Sequence, residues 1–209
     1  DPDLARLARG TLDFLLAEMA LPEGGFKSAI DAETDGEEGA YYVWTTDELR
    51  RVLGDADFRF LAPILGFDGP PNLPNNRRTL YLPHPLAEPA TRLEPLDKLR
   101  AARAQRKRPR IDDKVLTDWN GMAIAAFARA GKSFGEPRYT AAARKTADFI
   151  LARLHPGNGP LLHAYREGRA KIPAFLDDYA YLIRGLLALA EVTAEPRWGQ
   201  EAADQVGVV

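Results

Sequence analysis

The chain has no cysteine. That excludes disulfides, thiolate metal ligands and thiol redox chemistry anywhere in its 209 residues. Histidine is nearly as scarce: there are three, none in an HExxH-type spacing, which argues against zinc. No apolar run is long enough to span a bilayer, and no signal peptide opens the sequence. A net charge of −2 argues against a general nucleic-acid coat or a membrane-surface role. No Met starts the chain, which reads as a fragment or a processed piece. What is present is a 45% share of hydrophobic residues, enough for one sizeable core. The expectation is one cytoplasmic globular domain over 1–209.

An internal repeat sets the architecture. "ARGTLDFLLA" at 8–17 and "ARKTADFILA" at 143–152 share seven of ten residues at a shift of 135. "FGEPRY" at 134–139 is echoed by "TAEPRW" at 193–198. Between them, "DWNGMAIAAFARAGKSF" and "DDYAYLIRGLLALAEVT" are apolar on most sides, whereas "EPRYTAAARKTADFILARL" and "EPRWGQEAADQV" carry a single apolar stripe. Buried inner helices alternating with amphipathic outer ones predict an all-α fold, an α/α toroid seen as a partial ring of hairpins. A right-handed helical solenoid of shorter period is the alternative. Helices are expected near 3–19, 118–133, 137–154 and 178–192. Short strands are expected at "GAYYVW" and "GPLLHAYRE", and a long loop with a basic helix at 67–117.

In such a ring the loops entering the inner helices gather at one end. Three are long: 21–45, the loop ending at Thr117, and 155–177. They hold Asp31, Asp35, Glu37 and Glu38; then Asp112, Asp113, Lys114 and Asp118; then His163, Tyr165, Arg166, Asp177 and Asp178. Trp44, Trp119, Tyr41, Tyr42 and Tyr179 add aromatic surface suited to stacking on sugar rings. Within "DAETDGEEG", the run Asp31, Glu33, Asp35, Gly36 nearly spells an EF-hand loop, but its twelfth position is Tyr42 rather than glutamate. Each candidate also has a bland role. Thr117 or Asp118, and Asp177, stand where helix N-caps belong. Thr45 with Glu48 is a capping box. Asp112 and Asp113 beside Lys114 suit a loop ion pair, and Trp119 and Phe175 suit a core. The basic run 98–110 reads as a solvated helix, with nucleic-acid binding as the alternative.

Three longer motifs carry a resemblance: "GGFKSAIDAETDGEEGAYYVWT", "RIDDKVLTDWNGMAIAAFARAG" and "FLDDYAYLIRGLLALAE". The chain resembles the thioredoxin-domain-containing family related to spermatogenesis-associated protein twenty. That resemblance implies an N-terminal thioredoxin-like domain, as a partner in the parent protein, followed by a six-hairpin-glycosidase-like toroid. The chain corresponds to part of the toroid. The functional expectation is a carbohydrate-active or carbohydrate-binding domain, with a non-catalytic scaffold as the alternative. Glycosidase-like chemistry needs two carboxylates, and Asp35, Asp112, Asp113 and Asp178 are the catalytic candidates. Glu37, Glu38, Tyr42, Trp44, Lys114, Trp119, Asn120, His163 and Tyr179 are expected to contact a saccharide, His163 being also a candidate acid or base. No metal and no cofactor are expected.

Overall fold

The computed structural model describes residues 2–84, 94–157 and 159–207. Its helices are α1 (Pro2–Phe14), α2 (Thr46–Leu61), α3 (Pro95–Ala104), α4 (Thr117–Phe134), α5 (Pro137–Arg153), α6 (Leu176–Thr193) and α7 (Pro196–Val206). Its strands are β1 (Ala29–Ile30), β2 (Glu33–Thr34), β3 (Glu37–Glu38), β4 (Trp44–Thr45), β5 (Arg77–Arg78), β6 (Ile111–Asp112), β7 (Val115–Leu116), β8 (Leu162–Arg166) and β9 (Arg169–Pro173). The chain divides into two compact units: residues 3–29 with those from 111 onward, and residues 30–110.

The first unit is the repeat made visible. Helices α4 and α6 lie side by side, and α5 and α7 each pack on the inner helix that precedes them. This is the all-α, hairpin-on-hairpin architecture of the α/α-toroid type, and every expected helix appears within two residues of its expected bounds once the π-helical turn Leu15–Met19 that continues α1 is counted. The inner helices come close because both contact points are glycine. A Cβ on Gly121 would lie 2.6 Å from the Leu182 nitrogen, and one on Gly185 would lie 2.6 Å from the Gly121 carbonyl oxygen. Around them Ile124, Phe127, Leu182, Leu186 and Leu189 are fully buried. The outer helices bury Tyr139, Ala143, Ala147 and Ile150 from α5 and Trp198 from α7.

The echoed hexapeptides build the same corner twice. Gly135 and Ala194 close α4 and α6 in the left-handed region, at φ 66° and 54°. Glu-Pro-Arg then starts the outer helix with proline in its first turn. Leu162–Arg166 is the strand expected at "GPLLHAYRE"; it sits between β7 and β9, all antiparallel.

The second unit has its own core of Trp44, Leu49, Leu53, Phe58, Leu61, Leu65, Phe67 and Leu99. Helix α2 starts at the expected capping box: Thr45 Oγ1 accepts from the Glu48 N–H at 3.2 Å, and Glu48 accepts from the Thr45 N–H at 2.8 Å. "GAYYVW" does not form the expected strand. Gly39–Tyr42 is a turn, and only Trp44–Thr45 pairs, with Arg77–Arg78. Most of the expected 67–117 insertion belongs to this unit, with 85–93 outside the described residues. Among the described residues, no helix is long and apolar enough to cross a membrane.

Candidate functional site

The polar centre of the first unit is Asp178, 1% exposed in the first turn of α6. Its Oδ2 accepts the Phe175 N–H at 2.8 Å, closing the start of α6, and its Oδ1 accepts the Asp118 N–H at 3.0 Å, in the first turn of α4. His163 Nδ1, from β8, lies 3.0 Å from both oxygens. A carboxylate accepts and does not donate, so Nδ1 carries a proton toward it, and in the neutral form of the ring Nε2 is then the nitrogen with the lone pair. The side chain of His163 remains 22% exposed. A buried acid that fixes the tautomer and aim of a part-exposed imidazole is the orienting half of a general base.

Aromatic rings flank this dyad. Phe175 meets His163 edge-on with ring centroids 5.2 Å apart, and is itself exposed, as is Trp119 in the first turn of α4. Their exposure departs from the core role that Trp119 and Phe175 could have taken. Tyr179 follows Asp178 and is half-buried. Asp118, His163 and Asp178 are also the group that could hold a metal ion among the described residues, with one atom from each within 4.8 Å of the others. The three N–H donors on Asp178 account for the arrangement by hydrogen bonding alone.

The expected helix caps are redistributed. Leu116 and Phe175 hold the N-cap positions. Thr117 instead donates its hydroxyl to the Leu162 carbonyl at 2.7 Å, and Asp118 Oδ1 accepts the Trp119 N–H at 2.8 Å. The capping carboxylate at α6 is Asp178 rather than Asp177, because the helix begins two residues earlier than an N-cap at Asp177 requires.

Asp112 and Asp113 are held by cations. Lys114 binds Asp112 at 2.9 Å, and that contact keeps the Asp112 carboxyl below its ordinary range. Arg166 Nε lies 2.6 Å from Asp113 Oδ1, an ionic contact rather than a directed hydrogen bond. Asn120 is 1% exposed and spends its carboxamide on the backbone: it accepts the Phe26 N–H at 2.7 Å and donates to the Phe26 and Leu116 carbonyls. It is therefore a structural clamp, and no polar atom is left to meet a saccharide.

In the second unit "DAETDGEEG" is a tight β-hairpin. Thr34 pairs with Glu37 and Glu33 with Glu38, leaving Asp35-Gly36 as a two-residue turn with φ 56° and 80°. Asp31 is drawn into a local turn, its Oδ1 accepting the Glu33 N–H at 3.0 Å. The hairpin lines a cleft of about 690 Å³ shared with Tyr41, Glu48, Arg77 and Arg106. Asp35 pairs with Lys107 and Glu37 with Arg77. Arg106 donates to the Val43 and Tyr41 carbonyls at 2.7 and 2.9 Å and lies over the buried Trp44 ring at 4.0 Å, so burial pulls its pKa down. Trp44 thus belongs to the core, while Glu38 and Tyr42 are exposed. The basic run is also committed: Lys98 to Asp57, Arg103 over the Tyr41 and Tyr42 rings, Arg106 and Lys107 as above.

No protein-family model matches the chain. The chain is similar to spermatogenesis-associated protein 20. Identity to the Homo sapiens protein is 28% over 237 residues, covering 92% of this chain and 30% of the relative. The uncharacterized protein B0495.5 of Caenorhabditis elegans is 27% identical, with 90% of this chain and 32% of that protein covered. The chain thus spans about a third of the length of the curated relatives it matches. Among solved structures, cellobiose 2-epimerase from Spirochaeta thermophila aligns with 97% of this chain and 53% of that one, at 16% identity and a TM-score of 0.40. The endo-beta-1,4-glucanase CMCax from Acetobacter xylinum aligns with 100% and 58%, at 18% identity and a TM-score of 0.35. Likeness at that level carries no argument about chemistry.

Proposed function

We propose that this chain carries an acid–base site for a sugar-like, polyhydroxylated ligand at the starts of α4 and α6. His163 Nε2 takes and returns the proton. Asp178 positions the ring, and Trp119, Phe175 and Tyr179 offer faces on which a sugar ring stacks. The observation that carries this reading is His163 Nδ1 at 3.0 Å from both oxygens of a carboxylate that is 1% exposed. A histidine kept only as packing needs no buried acid to choose its tautomer.

The expected pair of glycosidase carboxylates receives less support. Asp178 is saturated by three N–H donors, and the other three candidates face lysine or arginine. A general acid is favoured by a dry site that keeps it protonated, and a cation at contact does the reverse. Proton transfer on the ligand, as in isomerisation or epimerisation, therefore ranks ahead of hydrolysis. Binding without turnover is the second reading, favoured by the exposed Trp119 and Phe175. The thioredoxin-like domain expected in the parent protein is the partner we assign to either role.

The test is incubation of the chain with mono- and disaccharides in heavy water, followed by NMR for exchange of carbon-bound protons, beside an aryl-glycoside hydrolysis assay. Exchange that disappears in His163→Asn supports the proton-transfer reading. Saturable saccharide binding without exchange or hydrolysis moves the site to the second reading, and hydrolysis that survives His163→Asn overturns the first.

A further inference from the structure

We propose that the outer face of the β7–β8–β9 sheet is a separate site for the phosphate group of a small ligand. Side chains on a strand alternate between faces, so the pairings Ala164↔Lys171 and Arg166↔Arg169 put all four on one face. Val115↔Tyr165 places Lys114 opposite Arg166 on the same side. Together they line a concavity of about 560 Å³, within the range of small-molecule sites.

Two features of this face call for an anion. First, Arg166 and Arg169 are directly opposite across the ladder, where like charges destabilise a sheet. Second, carboxylates compensate only half of the cations. Asp112 takes Lys114, and Asp113 takes Arg166, which has Glu167 at 3.7 Å as well. Arg169 and Lys171 have no carboxylate within ion-pair distance among the described residues. Ile172, on the wall of the concavity, adopts φ 68°, a left-handed conformation that a β-branched residue reaches only at a cost. Ala164 opposite Lys171 leaves room for a ligand between the long side chains. Guanidinium forks bind phosphate in two-point geometry, and two cations without a carboxylate match the nearly double charge of a phosphate better than the single charge of a lone carboxylate.

The experiment titrates the chain at low ionic strength with inorganic phosphate, glucose 6-phosphate and glucose, reading heat or amide shifts. Arg169→Gln, Lys171→Gln and His163→Asn are compared with the unaltered chain. Expected is saturable binding of a phosphate compound that falls roughly tenfold in each hairpin variant, the loss of one charged hydrogen bond. It is unchanged in His163→Asn, so this site and the dyad stand or fall separately. Arg169→Gln should also raise the thermal midpoint slightly, since it relieves the like-charge pair, which shows that the variant still folds. Equal affinity for free phosphate and glucose 6-phosphate assigns the site to the ion, and tighter binding of the latter assigns it to a phosphorylated sugar. Absence of saturable binding, equal binding of glucose that persists in His163→Asn and is lost in the hairpin variants, or phosphate binding that survives both hairpin substitutions overturns the proposal.

Discussion

Arg138 holds Asp13 at 2.7 Å, and the contact is made a second time as Arg197 on Asp148. The two pairs are related by the internal repeats, as are Arg9 on Glu136 and Arg144 on Glu195, both at 2.7 Å. In each copy the Glu-Pro-Arg that opens an outer helix is tied to the outer helix before it. In each copy, too, the arginine covers the aromatic residue that follows, Tyr139 at 4.4 Å and Trp198 at 3.7 Å. Both partners of each tie are the same residue types in the two copies, so the repeat preserves the contact as well as the helix pattern.

The ties predict a pH dependence. Asp13 is held below its ordinary carboxylate value by hydrogen bonds from Arg138 and Tyr139, and Glu136 by those from Arg9 and Arg138. A lowered folded-state pKa contributes stability that is complete above the unfolded value, about 4, and is lost as pH falls through the folded value. Asp13→Asn keeps an oxygen to accept from the Tyr139 hydroxyl, 2.8 Å away, but removes the charge. Its unfolding free energy should therefore fall less steeply than that of the parent chain between about pH 4 and pH 2. Urea unfolding at several pH values checks this, and parallel curves would assign the acid sensitivity to other groups.

The helices were legible because period and repeat are properties of the sequence, and a hairpin buries what its pattern says it buries. The two-residue turn at Asp35-Gly36 was legible in principle, since Asp-Gly between pairing residues is a hairpin signal, but the alternating acids suit the rim of a pocket equally well. The roles of the acids were not legible. Whether a carboxylate caps, pairs or positions depends on donors brought from afar, such as Asp118 N–H and His163 reaching Asp178 from 60 and 15 residues away. Arg106 was hidden for the same reason: nothing in a basic run says which cation will be folded onto a tryptophan.

Glycine contact between the inner helices gives a sharper stability prediction. Gly121→Ala puts a methyl group against the α6 backbone, which cannot yield as a side-chain tip would. The cost should be at least about 2 kcal/mol, at the upper end of overpacking effects. Gly10 in α1 has nothing within 4 Å of the same position, so Gly10→Ala should stabilise by about 0.5–1 kcal/mol through helix propensity. Thermal or urea midpoints moving in opposite directions for these two changes are the expected outcome.

Substitution at the dyad should separate position from chemistry. His163→Asn removes a part-exposed ring and should leave the unfolding midpoint nearly unchanged while abolishing saccharide-dependent proton exchange. Asp178→Asn turns one oxygen into an NH₂ group, so that a donor then faces Phe175 N–H, Asp118 N–H or His163 Nδ1–H. A buried donor left without an acceptor costs about 1–3 kcal/mol. Asp178→Asn should therefore lose both stability and function. Asp177→Asn, outside this network, should lose neither.

Asp113 gives the clearest choice between a catalytic acid and a structural one. Its partner Arg166 is 55% exposed and the carboxylate 43%, so water screens the pair. A screened pair is worth about 1 kcal/mol or less, and Asp113→Asn should lower the thermal midpoint by no more than a few degrees. Saccharide binding and any proton exchange should be unaffected. Phosphate binding on the neighbouring sheet face should instead tighten, because Arg166 then loses the acid that competes for it. If Asp113→Asn abolishes turnover at unchanged stability, the acid acts on substrate and the two-carboxylate mechanism returns. If phosphate affinity falls rather than rises, Arg166 needs Asp113 for its orientation and the sheet face depends on the pair.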